Sequence, residues 1–125
     1  MKTILKNSQD IIRQHVLMLA TNRGIEIVDV NTIVRIEALS NYSKIFFSNN
    51  KTLVIAKVLR WFEERLPAEH FIRIHRTHIV NKNFVYQYLK GEKSKILLTT
   101  GDSFDVSRRK KSSVVVRLLS VNCPF

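Results

Sequence analysis

The chain has 125 residues, enough for one packed domain with short tails but not for two. With 45% apolar and 25% charged residues and only three Gly and two Pro, it has the make-up of a chain that buries a core, which excludes disorder, collagen and low complexity. Against 10 Asp and Glu stand 21 Lys and Arg, a formal charge of +11, so a polyanionic partner is the first to consider.

The single cysteine, Cys123, lies near the C-terminus, so no disulfide can close within the chain and a Cys-based zinc site lacks its other ligands, which suits a reducing cytosol. The most apolar N-terminal run, Val16 to Ala20, is far short of the ~20 residues a bilayer span needs. Asp10, Arg13, Gln14 and His15 crowd its front. Neither a signal peptide nor a membrane contact is expected, and the location expected is cytoplasmic.

The first fifteen residues carry no strong period and read as a tail or a short amphipathic lead-in. Short runs rich in Val, Ile and Phe follow, separated by turn residues, which is a strand signature. Residues 16–21 and 24–30 flank Asn22-Arg23-Gly24, whose Gly can take the positive φ that a three-residue hairpin needs. Residues 33–39 and 43–48 come next, and Asn49-Asn50 makes a two-residue turn into residues 52–55. A helix is predicted over residues 56–66, with Ile55, Val58, Leu59, Phe62 and Leu66 on one stripe and Lys57, Arg60, Glu63, Glu64 and Arg65 opposite. Pro67 disfavours helical geometry at Leu66 and ends it. Residues 95–100 and 103–107 flank Gly101-Asp102, a pair suited to a type II′ turn. A C-terminal helix is predicted from Ser107 to about Leu119, with Ser107 as N-cap and Val114, Val115, Leu118 and Val121 on its buried side. The fold class expected is mainly β, built of short antiparallel sheets with one inserted helix and a C-terminal helix.

Charge is unevenly spread: residues 70–125 hold eleven Lys and Arg against three acids, a surplus of eight, and the first 69 residues carry the other three. Catalysis finds little support, because no Gly-x-Ser-x-Gly and no phosphate-binding glycine loop is present. On a strand, His75 and His78 would point to opposite faces. His15, His70 and Cys123 are isolated, so no metal site and no cofactor are expected.

Three segments can meet a nucleic acid. Residues 73–81 offer Arg73, His75, Arg76, Thr77, His78 and Asn81 as polar groups, interleaved with Ile74, Ile79 and Val80 as anchors, an arrangement suited to phosphate and base-edge contacts or, equally, to a solvated basic turn. In Ser107-Arg108-Arg109-Lys110-Lys111, a helix starting at Ser107 would put four cations in its first turn, each opposing the terminus by roughly 0.3 to 1 kcal/mol at most. The same arrangement becomes favourable when an anion docks there. The polar loop Ser40-Asn41-Tyr42-Ser43-Lys44 can reach bases or phosphates, although such loops also serve as plain hairpin connections.

The run Ile36-Glu37-Ala38 with Asn41-Tyr42, the block Phe71-Ile72-Arg73-Ile74-His75-Arg76-Thr77-His78-Ile79-Val80-Asn81 and the closing Val106-Ser107-Arg108-Arg109, in this order and spacing, resemble the LytTR domain. That module is the DNA-binding output domain of many bacterial response regulators. The resemblance covers about residues 18 to 120 and implies a β-sandwich of short antiparallel sheets that binds duplex DNA through loops, without a recognition helix. In the family the first and last loops enter successive major grooves while the middle turn faces the minor groove between them. Carried over by position, the DNA-binding residues are Asn41, Tyr42, Ser43 and Lys44, then His75, Arg76 and Thr77, then Ser107, Arg108, Arg109 and Lys110. Asn81 is expected to hydrogen-bond backbone rather than DNA. The organisation expected is a lead-in over 1–17, the domain over 18–121 and a tail over 122–125.

Response regulators of this type carry a receiver of about a domain's length ahead of the DNA-binding part. Here some twenty residues precede it, which fits a stand-alone regulator or an output domain. The function expected is non-enzymatic, sequence-specific binding of duplex DNA at tandem direct repeats, by a protein that is monomeric in solution and loads two copies on DNA. The alternative is a small basic RNA-binding protein of a ribonucleoprotein particle, for which only Tyr42, Tyr86 and Tyr88 are available to stack on bases.

Overall fold

The computed structural model describes residues 15–120, so the lead-in through Gln14, the helix position Val121 and Cys123 lie outside the described residues. Ten strands form three antiparallel sheets: β1 (Val16–Thr21) with β2 (Gly24–Asp29); β3 (Ile33–Leu39), β4 (Tyr42–Phe47), β5 (Thr52–Ile55), β6 (Phe71–His75) and β7 (His78–Asn81) in the order β5-β4-β3-β7-β6; and β8 (Val85–Leu89), β9 (Lys95–Leu98) and β10 (Ser103–Asp105) in the order β10-β9-β8. Among the described residues there are also two α-helices, α1 (Leu59–Arg65) and α2 (Lys111–Leu119), and three 3-10 turns, at Val30–Thr32, Lys82–Phe84 and Arg108–Lys110. The packed unit takes in Val16 and Leu17, ahead of the boundary expected at residue 18, because Leu17 is buried on β1.

Side-chain alternation along the five-stranded sheet gives it two buried faces. On one face Ile33, Ile36, Ile45, Phe71 and Ile79 meet Leu17, Leu19 and Val28 of the β1–β2 hairpin and Leu59 and Phe62 of α1. On the other, Val34, Ile72, Ile74 and Val80 meet Ile96 and Leu98 of the three-stranded sheet and Val114 of α2. A register shift between Ile33 and Arg35 inserts one extra residue into β3, which brings Ile33 and Ile36, three positions apart, onto the same core while Val34 faces the other. Asn81, fully buried, closes the joint: its amide Nδ2 donates to the Ile33 carbonyl at 2.8 Å and its Oδ1 accepts from the Asn83 N–H at 2.9 Å.

Several boundaries differ from the sequence expectation for identifiable reasons. Helix α1 begins at Leu59 rather than residue 56, because the Lys57 carbonyl accepts the Ser43 hydroxyl at 2.6 Å and Val58 is extended. Strand β8 was not expected; a register shift between Val85 and Gln87 breaks the alternation that would have announced it. The hairpin read as a Gly101-Asp102 turn has Thr99 and Thr100 at its centre, with the Gly101 N–H donating to the Leu98 carbonyl and Gly101 at φ +98° as the following bulge. Asn50, at φ +71°, plays the same part after Ser48 and Asn49. The C-terminal helix starts at Lys111, preceded by a 3-10 turn over Arg108–Lys110, and the Ser107 hydroxyl makes no capping bond.

Candidate nucleic-acid interface

Strand β3 runs antiparallel to both of its neighbours, so its C-terminal end lies beside the beginnings of β4 and β7. The register pairs Leu39 with Tyr42 and Glu37 with His78, and the Ala38 N–H donates to the Thr77 carbonyl at 2.9 Å. The turns at Ser40-Asn41 and Arg76-Thr77 therefore share one end of the central sheet, about 10 Å apart for two strand spacings, close to the scale of a DNA groove. The third segment joins them at the sheet's edge, where the Ser107 N–H donates to the Ile74 carbonyl of β6 at 2.8 Å. Segments at residues 41–44, 75–77 and 107–110 are thus lined up along a single edge.

Within the first loop, Asn41 is exposed and Tyr42 is 50% exposed, following Ser40 at φ +57°. Lys44 is half-buried, with its ammonium 5.1 Å from the Phe46 ring centre. Ser43 departs from its expected role. It is fully buried and its hydroxyl is committed to the Lys57 carbonyl, so it holds the loop against the chain behind it.

In the middle turn Arg76 is exposed while His75 and Thr77 are half-buried. The Thr77 N–H donates to His75 Nδ1 at 3.2 Å, so a neutral His75 carries its proton on Nε2. The Thr77 hydroxyl lies 2.8 Å from that nitrogen and 2.9 Å from His78 Nδ1, which places it between two imidazoles rather than toward solvent. This leaves Arg76, the His75 Nε2–H and the turn backbone as the groups that can meet a ligand. His78 itself stacks at 4.5 Å on Phe104, and burial, helped by nearby Arg35 and His75, lowers its pKa against the opposing pull of Glu37. Arg73 is turned inward, onto Glu63 and the carbonyls of the turn.

In the last segment Arg108 and Arg109 are exposed and Ser107 and Lys110 are half-buried. A depression of about 340 Å³ joins this segment to the middle turn, lined by Arg73, His75, Arg76, Ser107, Arg109 and Lys110, with no acidic residue in its wall. Lys111, read from the sequence as one of the phosphate-facing cations, instead donates from Nζ to the carbonyls of Gly91 and Glu92 at 3.0 and 2.9 Å, fastening α2 to the β8–β9 loop.

Two acids near this edge have partners, whereas Glu92, which lines a depression with His75, Ser107 and Arg108, has no ion-pair partner among the described residues. Lys95 holds Asp105 at 2.8 Å, a hydrogen bond that lowers the Asp105 pKa, and Arg35 holds Glu37 at 3.1 Å. Among the described residues, Arg76, Arg108, Arg109 and Lys110 have no carboxylate partner, which leaves a concentration of uncompensated positive charge on one edge. Sequence reasoning passed over Arg35, which is buried with its guanidinium 3.5 Å from the Phe46 ring centre and 4.6 Å from that of Phe104. An arginine inside the apolar run of β3 was the available signal. Its work is to brace the sheet behind the edge.

Comparison with known proteins bears on the family and the fold. The LytTr DNA-binding domain family matches residues 23–118. A solved LytTr DNA-binding domain from Bacillus cereus superposes with a TM-score of 0.72 at 25% identity, covering 84% of this chain and 97% of that one. Relatives in Staphylococcus aureus strains NCTC 8325 and COL, described as uncharacterized HTH-type transcriptional regulators, are 26% identical over 119 residues, 94% of this chain and 80% of theirs. Among the described residues α1 and α2 are separated by five strands, so they do not form the consecutive helix pair of a helix-turn-helix. With most of the sequence matched by the family and the fold shared with a solved member, the chain belongs to the LytTr DNA-binding domain family.

Proposed function

We propose that this chain is a sequence-specific regulator of transcription that grips duplex DNA with one edge of its central sheet. The observation that carries the reading is the alignment of three segments, distant in sequence, on that edge, with five cations, Lys44, Arg76, Arg108, Arg109 and Lys110, lacking a carboxylate partner among the described residues. Asn41, Tyr42 and Lys44 serve one major groove and Ser107, Arg108, Arg109 and Lys110 the next, while Arg76, with His75 and the Thr77 backbone, faces the minor groove between them. Exposed guanidinium groups suit both phosphates and the acceptor edge of guanine. Ser43 and the Thr77 hydroxyl act from behind, by fixing the loops.

The protein binds tandem direct repeats in the cytoplasm, one copy per repeat, as the output unit of a response regulator or as a regulator in its own right. No helix among the described residues is long and apolar enough to cross a membrane. The RNA-binding alternative needs a shared stacking surface. The exposed tyrosines do not supply one, since Tyr42 is the first residue of β4 and Tyr86 lies on β8 of a different sheet.

The test is selection from a randomised duplex pool, followed by affinity measurements on the recovered duplex, a scrambled duplex, duplex RNA and single strands at one salt concentration. Enrichment of a motif and preference for duplex DNA are expected. Equal binding to all four would remove the proposal.

A further inference from the structure

We infer that Arg73 is a positioning residue of the DNA-binding edge, holding the Arg76 turn in its binding shape by bridging it to Glu63 on α1. The inference rests on the DNA-binding reading above. A single guanidinium makes the bridge: Nη1 donates to Glu63 Oε1 at 2.9 Å, Nη2 to the Arg76 carbonyl at 2.7 Å and Nε to the His75 carbonyl at 3.3 Å. The Arg73 side chain is 21% exposed against 43% for Glu63, so the arginine lies under the turn and the carboxylate at its rim.

The backbone explains why the turn needs this support. Between Arg73 and His75 the β6–β7 register shifts, so Ile74 drops out of the ladder and its carbonyl accepts the Ser107 N–H instead. The carbonyls of His75 and Arg76 both accept from Arg73, so one guanidinium ties down the last residue of β6 and the first residue of the turn. A planar guanidinium with five N–H donors can serve two carbonyls and a carboxylate at once, whereas an ammonium on a flexible stem has no such fixed fork. Glu63 keeps this cation occupied and directed inward. Arg76, two residues after the skipped Ile74 and exposed, is then presented on an ordered backbone, which reduces the conformational freedom lost when DNA docks.

Positioning and plain electrostatics predict opposite signs for Glu63. Removing a carboxylate from the neighbourhood of a polyanion should tighten binding if charge alone matters. If the carboxylate anchors Arg73, its removal should weaken binding. The probe is the duplex recovered by the wild-type chain from a randomised pool, and the reading is affinity across a salt series. Glu63→Ala is expected to bind about tenfold more weakly, while Glu63→Gln, whose amide oxygen still accepts from Nη1, stays within about twofold of wild type. Arg73→Lys keeps the charge and is expected to lose about tenfold with an unchanged salt slope, because no phosphate contact is removed. Thermal melting checks that each variant is folded, and faster exchange of the Thr77 amide in free Glu63→Ala and Arg73→Lys protein is the accompanying sign of a loosened turn. Glu63→Ala binding as tightly as wild type, or Arg73→Lys at wild-type affinity, would overturn the positioning role. If the wild-type chain enriches no duplex at all, the DNA-binding reading itself falls, and the positioning role with it.

Discussion

Ser107 donates its backbone N–H to the Ile74 carbonyl at 2.8 Å, and this bond joins the last candidate segment to the strand that carries the middle one. Ile74 is the residue skipped where the β6–β7 register shifts, so its carbonyl is available to a new partner. Its side chain is fully buried with Val80, Ile96 and Val114, which fixes the position of that carbonyl. The core thus sets the separation between Arg76 and Arg108 more firmly than either loop could alone.

Because Arg76 and Arg108 are exposed and without a carboxylate partner among the described residues, replacing them should affect binding and leave the fold intact. Arg108→Ala and Arg76→Ala are each expected to weaken binding to the selected duplex by about 1 to 3 kcal/mol if the guanidinium makes a bidentate base contact. If all five interface cations, Lys44 included, neutralise a phosphate, the slope of log affinity against log salt should lie between about −4 and −5 per bound copy, shallower by about one for each that contacts a base instead, and each phosphate-contacting residue removed should reduce it by about one. Titrations over a salt series check both numbers, and a nearly flat slope would contradict the interface.

Lys111 and Asn81 should behave in the opposite way. The Lys111 ammonium is bonded to the carbonyls of Gly91 and Glu92, so Lys111→Ala is expected to cost about 0.5 to 1.5 kcal/mol of stability. Asn81→Leu leaves the buried Ile33 carbonyl and the Asn83 N–H without their partner, at a cost of about 1 to 3 kcal/mol. Urea unfolding measures both losses. Affinity corrected for the folded fraction should stay near wild type for each.

These contrasts mark what sequence could and could not convey. Strands β1, β3 and β5 were legible to the residue because apolar runs end at turn residues such as Asn22-Arg23 and Ser40-Asn41. The start of α1 was not, since it depends on a bond from Ser43 to Lys57 across fourteen positions. The three candidate segments were legible as motifs in order. Which of their side chains face outward was not, because Ser43, Arg73 and Lys111 are each turned inward by a partner that only the folded chain supplies.

His78 makes stability depend on pH. Its ring faces Glu37 across the β3–β7 register, the guanidinium of Arg35, His75 and Thr77 within the turn, and Phe104 on β10. Burial, the largest influence, lowers its pKa below the ordinary 6.5, so the unfolded chain binds its proton more readily than the folded one. Stability should therefore rise with pH between the lowered value and 6.5 and level off above it. Asp105, held low first by its hydrogen bond to Lys95, acts in the same direction only as pH falls below the ordinary 3.8 of its carboxyl. Melting temperatures between pH 5 and pH 7 should increase for the wild-type chain, and His78→Gln should flatten that rise. An equal rise in the variant would assign the dependence to another group.

Assembly on DNA follows from size. An edge carrying three loops spans about one helical turn, and a site that short occurs too often in a genome to mark one promoter. The proposed mode therefore takes two copies, and direct repeats would place them head to tail, without the two-fold contact that a palindrome would require. Among the described residues, the exposed outer face of the β1–β2 hairpin offers Met18, Ile25 and Ile27 as large apolar groups. Three side chains are far fewer than the roughly 20 to 30 residues a side that a stable interface uses, so that face alone does not hold two free copies together. The free protein is expected to be monomeric by light scattering. On probes with two half-sites about one turn apart, binding should be cooperative, and inserting about five base pairs should abolish the cooperativity by moving the second copy to the opposite face. A stable dimer without DNA, or indifference to the half-turn insertion, would show that the two copies associate by another route.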